Sequence, residues 1–78
     1  MKCLLISEKD QHVSAFRKMG VEAVLTTVDD AACDVEKAIS SRKIGTLVLS
    51  ERVREVSEKV LDVHAESGRL PYVMTLNG

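Results

Sequence analysis

Apolar residues fall along this chain in two textures. Short runs, Cys3-Leu4-Leu5-Ile6, Ala23-Val24-Leu25, Thr46-Leu47-Val48-Leu49 and Tyr72-Val73-Met74-Thr75-Leu76, alternate with longer stretches where apolar residues recur every three or four positions. The first texture predicts strands and the second predicts amphipathic helices. The runs at Cys3–Ile6 and Thr46–Leu49 have no polar alternation, which suits strands covered on both faces. The partial alternation of Tyr72–Leu76 suits a half-exposed edge.

The stretches between the runs carry helix signals. Asp10 is a candidate N-cap for a helix over Gln11–Met19, with Val13, Phe16 and Met19 facing inward and Gly20 ending it at a positive φ. Thr27 with Asp30 resembles a capping box opening a second helix, whose stripe is Val28, Ala32, Val35 and Ile39. Ser50 caps a third helix over Glu51–Ser67, with Glu51 at the positive end of its dipole. The stripe of that helix is Val53, Val56, Val60 and Val63, and Arg54–Glu58 and Glu55–Lys59 are i,i+4 pairs on its wet side. Gly68 stops the helix and Pro71 prevents it from resuming.

The predicted order is βαβαβαβ over residues 1–78 as one domain. Strands alternating with helices of this length imply an α/β fold of Rossmann-like or flavodoxin-like kind: a four-stranded parallel sheet, right-handed crossovers and helices on both faces. Strands one and three are expected at the centre, and strands two and four at the edges.

Composition narrows the function classes. A chain of 78 residues buries only about 60% of its unfolded surface, so its stability is thin. Eleven basic residues against 12 acidic ones give a net charge of −1, which leaves no electrostatic footprint for nucleic acid. No stretch approaches the roughly 20 apolar residues that span a bilayer. Met1–Ile6 is too short for a signal sequence before Ser7-Glu8-Lys9-Asp10 interrupts it. Two cysteines, Cys3 and Cys33, make no disulfide framework and fit a reducing compartment. A cytoplasmic protein without membrane insertion is expected.

Ligands of open parallel sheets bind beyond the carboxyl ends of the strands. A nucleotide site there needs glycines in the first loop so that backbone N–H groups can approach phosphate. Ser7-Glu8-Lys9-Asp10 has no glycine and two carboxylates, which repel phosphate. A phosphoacceptor receiver domain needs an aspartate at the end of strand three, where Ser50 and Glu51 stand. His12 and His64 share no ligand spacing with the cysteines. Cys33 lies beside Asp34 and near Asp29 and Asp30, an acidic setting unlike the electropositive one a nucleophilic cysteine needs. The residues therefore predict no catalytic, cofactor or metal site.

Three passages carry a family resemblance. Ser7-Glu8-Lys9-Asp10 with Ala15-Phe16-Arg17-Lys18-Met19-Gly20-Val21, then Ile44-Gly45-Thr46-Leu47-Val48-Leu49-Ser50-Glu51-Arg52-Val53, then Leu70-Pro71-Tyr72-Val73-Met74 follow in order. They are similar to three segments of the small central-stalk subunit of the V-type and archaeal-type rotary ATPases. Those segments are its acidic loop and Gly-Phe-x-Leu-Ala-Gly-Val stretch, its Ile-Gly-(aliphatic run)-Thr-Glu segment and its Pro-(aliphatic run) last strand. Departures are Ser7-Glu8 for the family's Gly-Asp, Ala15 for its glycine, Lys18-Met19 for Leu-Ala, and Asn77 for a proline. The family's C-terminal tail has no counterpart in these 78 residues. The resemblance implies a non-catalytic central-stalk rotor subunit without cofactor, peripheral to the membrane. Its partner would be the coiled-coil shaft subunit, and the complex would couple ATP hydrolysis or synthesis to proton or sodium transport. Candidate partner-binding residues are Arg17, Lys18, Ser50, Glu51, Arg52, Arg54 and Tyr72. The alternative is a stand-alone receiver-like signalling or protein-interaction module.

Overall fold

The computed structural model describes residues 1–76, so the reading of Asn77 after the last strand lies outside the described residues. Four strands form: β1 (Lys2–Ser7), β2 (Glu22–Leu25), β3 (Ile44–Ser50) and β4 (Tyr72–Leu76). Between them lie α1 (Asp10–Lys18), α2 (Ala31–Ser40), α3 (Glu51–Val56) and α4 (Glu58–Ser67). The sheet is parallel throughout, in the order β2-β1-β3-β4. As the uninterrupted apolar runs predict, β1 and β3 are central; Leu5, Ile6, Leu47 and Leu49 are all buried.

The two faces of the sheet are covered unequally. Ile6, Leu47 and Leu49 pack against Ala31, Val35 and Ala38 of α2 and Val53 of α3, with Val73 and the half-buried Val60 and Leu61 around them. On the opposite face Leu5 and Ala23 meet Val13 and Phe16 of α1, with Val48 and Leu76 at the margin. Right-handed crossovers dictate this division. The chain steps outward from β1 to β2, then moves the other way to β3 and β4, so α1 lies on one face and α2, α3 and α4 lie on the other. α1 packs on β1 and β2. Among the described residues no helix covers β3 and β4 on the α1 face.

All three expected helices depart from the sequence reading at their boundaries. Lys9, not Asp10, takes the N-cap position of α1, and Asp10 is its first residue. The loop is closed by Ser7 instead, whose Oγ accepts the Lys9 N–H at 3.0 Å. Met19 lies past the helix end and is 67% exposed, because Val21 turns the chain into β2 by donating its N–H to the Phe16 carbonyl. Gly20 takes the positive φ expected of it, at 82°.

The second helix begins later than Thr27–Asp30. Thr27 Oγ1 does accept the Asp30 N–H at 3.2 Å, but residues 28–30 form a turn and the helix starts at Ala31. The buried stripe is therefore Ala31, Val35 and Ala38, one residue round from the expected Ala32, while Val28 stays exposed.

The third helix is two helices. Its continuity breaks at Ser57, where φ −106° and ψ 12° leave the α-helical region, and the Ser57 N–H is shared between the Val53 and Arg54 carbonyls at 3.1 and 3.2 Å. α3 packs on β3 and its neighbouring strands as well as on α2, whereas α4 packs on α2 and α3, so the break lifts the chain off the sheet. The expected Arg54–Glu58 and Glu55–Lys59 pairs straddle this break and are not formed. Arg54 instead donates to Thr75 Oγ1 at 2.7 Å, and Arg52 pairs with Glu55 at 3.5 Å. Val53 of the expected stripe is buried and Val56 and Val60 are half-buried, but Val63 is 71% exposed, because α4 beyond the break lies too shallowly to bury any residue. Gly68 closes α4 in the left-handed conformation at φ 64°.

Ser57 is itself buried, and its hydroxyl has no partner among the described residues. A buried hydroxyl left unpaired costs about 1–3 kcal/mol, and Ala is the better helix former. Ser57→Ala is expected to raise the unfolding free energy in urea by about 1 kcal/mol. A loss of stability on that substitution would contradict this account of the break.

Candidate functional site

The order β2-β1-β3-β4 places the topological switch point between β1 and β3, whose following helices leave on opposite faces. In open α/β sheets that crevice, beyond the carboxyl ends of the strands, is where ligands bind. Its walls here are the loop after β1 and the first turn of α3.

Local sequence builds both walls. Ser7 and Ser50 end the two central strands, are buried, and turn their hydroxyls toward the loops. Ser50 caps α3 by accepting the Val53 N–H at 3.3 Å, as its position before Glu51 predicts. The same hydroxyl donates to Glu8 Oε1 at 2.7 Å, across 42 positions of sequence. Ser7 Oγ lies 2.9 Å from His12 Nδ1 and 3.5 Å from Glu8 Oε1. One carboxylate thus ties the β1 loop to the start of α3, and one serine ties that loop to the first turn of α1.

Electrostatics follow from these contacts. The Ser50 hydroxyl holds the Glu8 carboxyl below its ordinary value of 4.5, helped by the charges of Lys9 and His12, with partial burial opposing. What remains of the crevice is a small cavity of about 230 Å³ bordered by Glu8, His12, Ser50, Glu51 and Arg52, with Leu76 at its side. Small-molecule sites are mostly apolar and of about 300–1,000 Å³. This one is smaller, polar and already bridged by the chain's own hydrogen bonds. Among the described residues no cluster of His, Cys, Asp or Glu has metal-binding geometry.

The seven candidate partner-binding residues do not share one surface. Arg17 reaches the β2 edge, where its guanidinium donates to the Ala23 carbonyl at 3.0 Å, and Lys18 is exposed beside it at the end of α1. Ser50 is buried in the switch-point contacts, so its side chain serves the fold. Glu51 and Arg52 are exposed above it, and Arg54 is drawn to β4 by Thr75. Tyr72 is 72% exposed on β4, the edge opposite Arg17. The Glu8–Ser50 contact is absent from the sequence reading, although two polar residues ending adjacent central strands are its sequence signal. Cys3 is half-buried in β1 and Cys33 is exposed on α2, both as free thiols.

No protein-family model matches the chain, and no curated protein matches it. Among the described residues no helix is long and apolar enough to cross a membrane.

Two outcomes are expected from the switch-point contacts. Ser50→Ala removes a helix cap together with the Glu8 bond, and is expected to cost about 1–2 kcal/mol in urea unfolding. Glu8 has a depressed folded-state pKa, so its contribution is complete above about pH 4.5 and is lost as pH falls through the lower folded value. Wild type is therefore expected to exceed Glu8→Gln in stability at neutral pH. The difference should shrink once the pH drops below about 4.5. A gap that widens on acidification would contradict the contact.

Proposed function

We propose that this chain is a non-catalytic central-stalk subunit of the kind found in the V-type and archaeal-type rotary ATPases. In that role it binds the coiled-coil shaft subunit and turns with it, while ATP hydrolysis or synthesis and the transport of protons or sodium ions proceed in other subunits. It acts at the cytoplasmic side of the membrane without entering it.

The observation that carries the reading is a contrast within one sheet. The crevice where an α/β enzyme holds its ligand is bridged by Ser50–Glu8 and Ser7–His12, whereas apolar side chains stay open on β4. Tyr72 and Met74 are exposed there at 72% and 58%. Exposed apolar surface on a small domain marks an interaction site, and a partner that binds only the folded state adds stability that so small a core lacks. The ordered set of family-like passages through Ser50-Glu51-Arg52-Val53 supports the choice of partner.

A stand-alone receiver-like module is the second reading. It gains from Glu8 lying against the residue that ends β3, the arrangement an acidic phosphoacceptor site requires. It loses because that residue is a serine whose hydroxyl is already both donating and accepting.

Light scattering on an equimolar mixture with the shaft subunit of the same organism separates the two. A one-to-one complex at micromolar concentration is expected, with no mass added to the chain by a small acyl-phosphate donor. Absence of a complex overturns the stalk reading, and a stable phosphate adduct favours the receiver.

A further inference from the structure

A strand at the edge of a sheet keeps one row of backbone N–H and C=O groups without a ladder partner. Natural sheets blunt such edges with charges, a covering side chain, a bulge or a very short strand. β2 carries three of these devices. It spans only four residues, its Glu22 pairs with Lys2 at 3.0 Å, and the Arg17 guanidinium donates to the Ala23 carbonyl at 3.0 Å. β4, at the other edge, carries none of them. Tyr72-Val73-Met74-Thr75-Leu76 has no charged residue and no proline, and its register with β3 runs from Thr46–Tyr72 to Ser50–Leu76 without a bulge. Arg54 reaches β4, but it bonds the Thr75 hydroxyl and leaves the backbone alone. An edge in this state takes an extended strand, because only a strand presents donors and acceptors at the matching spacing.

The sequence of β4 selects a second copy of itself. Val73 belongs to the cluster under α2 and α3, so the alternation of a strand turns Tyr72, Met74 and Leu76 to the α1 side. Antiparallel pairing centred on Met74 sets Tyr72 opposite Leu76 of the second copy, Met74 opposite Met74, and Val73 opposite Thr75. The contact is isologous, with the same strand used by both copies. On the α1 side it brings together an aromatic–aliphatic pair, a Met–Met pair and the first pair again. Such directly opposed side chains lie about 5 Å apart and are the unit of stabilisation in antiparallel sheets. Tyr72 and Met74, exposed at 72% and 58% in the single chain, gain these partners.

Charge on the other side of the strand agrees with this register. Arg54 is bonded there to Thr75 at 2.7 Å, and Asp62 of α4 borders a recess together with Tyr72 and Val73. Thr75 of one copy stands opposite Val73 of the other, so each Arg54 is carried toward the Asp62 of its partner. The two-fold axis makes that contact twice. A net charge of −1 per chain adds little repulsion between copies.

We propose that the free chain self-associates through β4, whose edge pairs antiparallel with β4 of a second copy about a two-fold axis at Met74 and joins the two sheets into one. The pairing occupies the edge and leaves the uncovered half of the sheet on the α1 side open, so it does not rest on the stalk reading. One short strand buries less than the roughly 800 Å² per partner of a stable dimer. The dimer therefore exchanges with monomer, with a dissociation constant between about 10 μM and about 1 mM.

The test is sedimentation equilibrium of the 78-residue chain alone, with reductant present so that exposed Cys33 forms no disulfide. Wild type is expected to rise from monomer toward twice the monomer mass across that concentration range. Met74→Lys sets two ammonium groups face to face at the axis and is expected to weaken association about tenfold or more, whereas Met74→Leu stays within about twofold of wild type. Arg54→Asp and Asp62→Arg each set like charges against each other in their own dimers, and each is expected to weaken association about fivefold. Mixed together, the two variants regain both opposite-charge contacts, so the mixture associates where each alone does not. All three positions are exposed, and circular dichroism verifies that every variant is folded. Wild type that stays monomeric to about 1 mM overturns the proposal. So does Met74→Lys associating like wild type, or a mixture of Arg54→Asp and Asp62→Arg that associates no better than its components.

Discussion

Right-handed crossover is the constraint on which the rest of this structure depends. A chain that steps from β1 to one side, then returns across it to β3 and continues outward, must leave one helix on one face and the remainder on the other. With four strands the outcome is lopsided. Among the described residues α1 covers β1 and β2, no helix covers β3 and β4 on that side, and a full helical layer lies beneath. Two separate apolar clusters result, one large and one small, joined through the backbone of the central strands. The same step creates the switch point between β1 and β3. Both the Glu8–Ser50 contact and the open half-sheet are therefore consequences of one topological reversal.

Much of the fold was legible because strand texture and helix punctuation agree. Uninterrupted aliphatic runs mark Leu5–Ile6 and Leu47–Leu49 as central, and the mixed run Tyr72–Leu76 marks an edge. Gly20 and Gly68 stop helices in the conformation only glycine adopts at low cost, and Ser50 caps α3 as its place before Glu51 requires. Boundaries that depend on tertiary support were not legible. Val28 fits a helical stripe by spacing, yet the turn held by Thr27 delays α2 to Ala31 and rotates its buried face. Periodicity runs unbroken through Val53, Val56, Val60 and Val63, so nothing in the spacing reveals that α3 packs on the strands and α4 on the helices, or that the two part at Ser57.

The candidate site was legible in part. Charge and glycine content argue against phosphate at the first loop, and the geometry gives that argument a second ground: Glu8 is already engaged by Ser50. The contact itself spans 42 positions and follows from strand adjacency, which residue spacing alone does not contain. Arg17 and Tyr72 stand together among the candidate partner-binding residues, and strand order sends them to opposite edges of the sheet. The proposed interaction surface is defined by what fails to cover it, and that property belongs to the assembled layers.

The central claim is that the open half of the sheet is where the chain meets its partner. Backbone hydrogen exchange, compared between the free chain and its complex with the shaft subunit, tests it most directly. The account predicts new protection concentrated at residues 46–50 and 72–76, with the α2–α4 side unchanged. Protection confined to residues 59–69, with β4 exchanging as in the free chain, would contradict it.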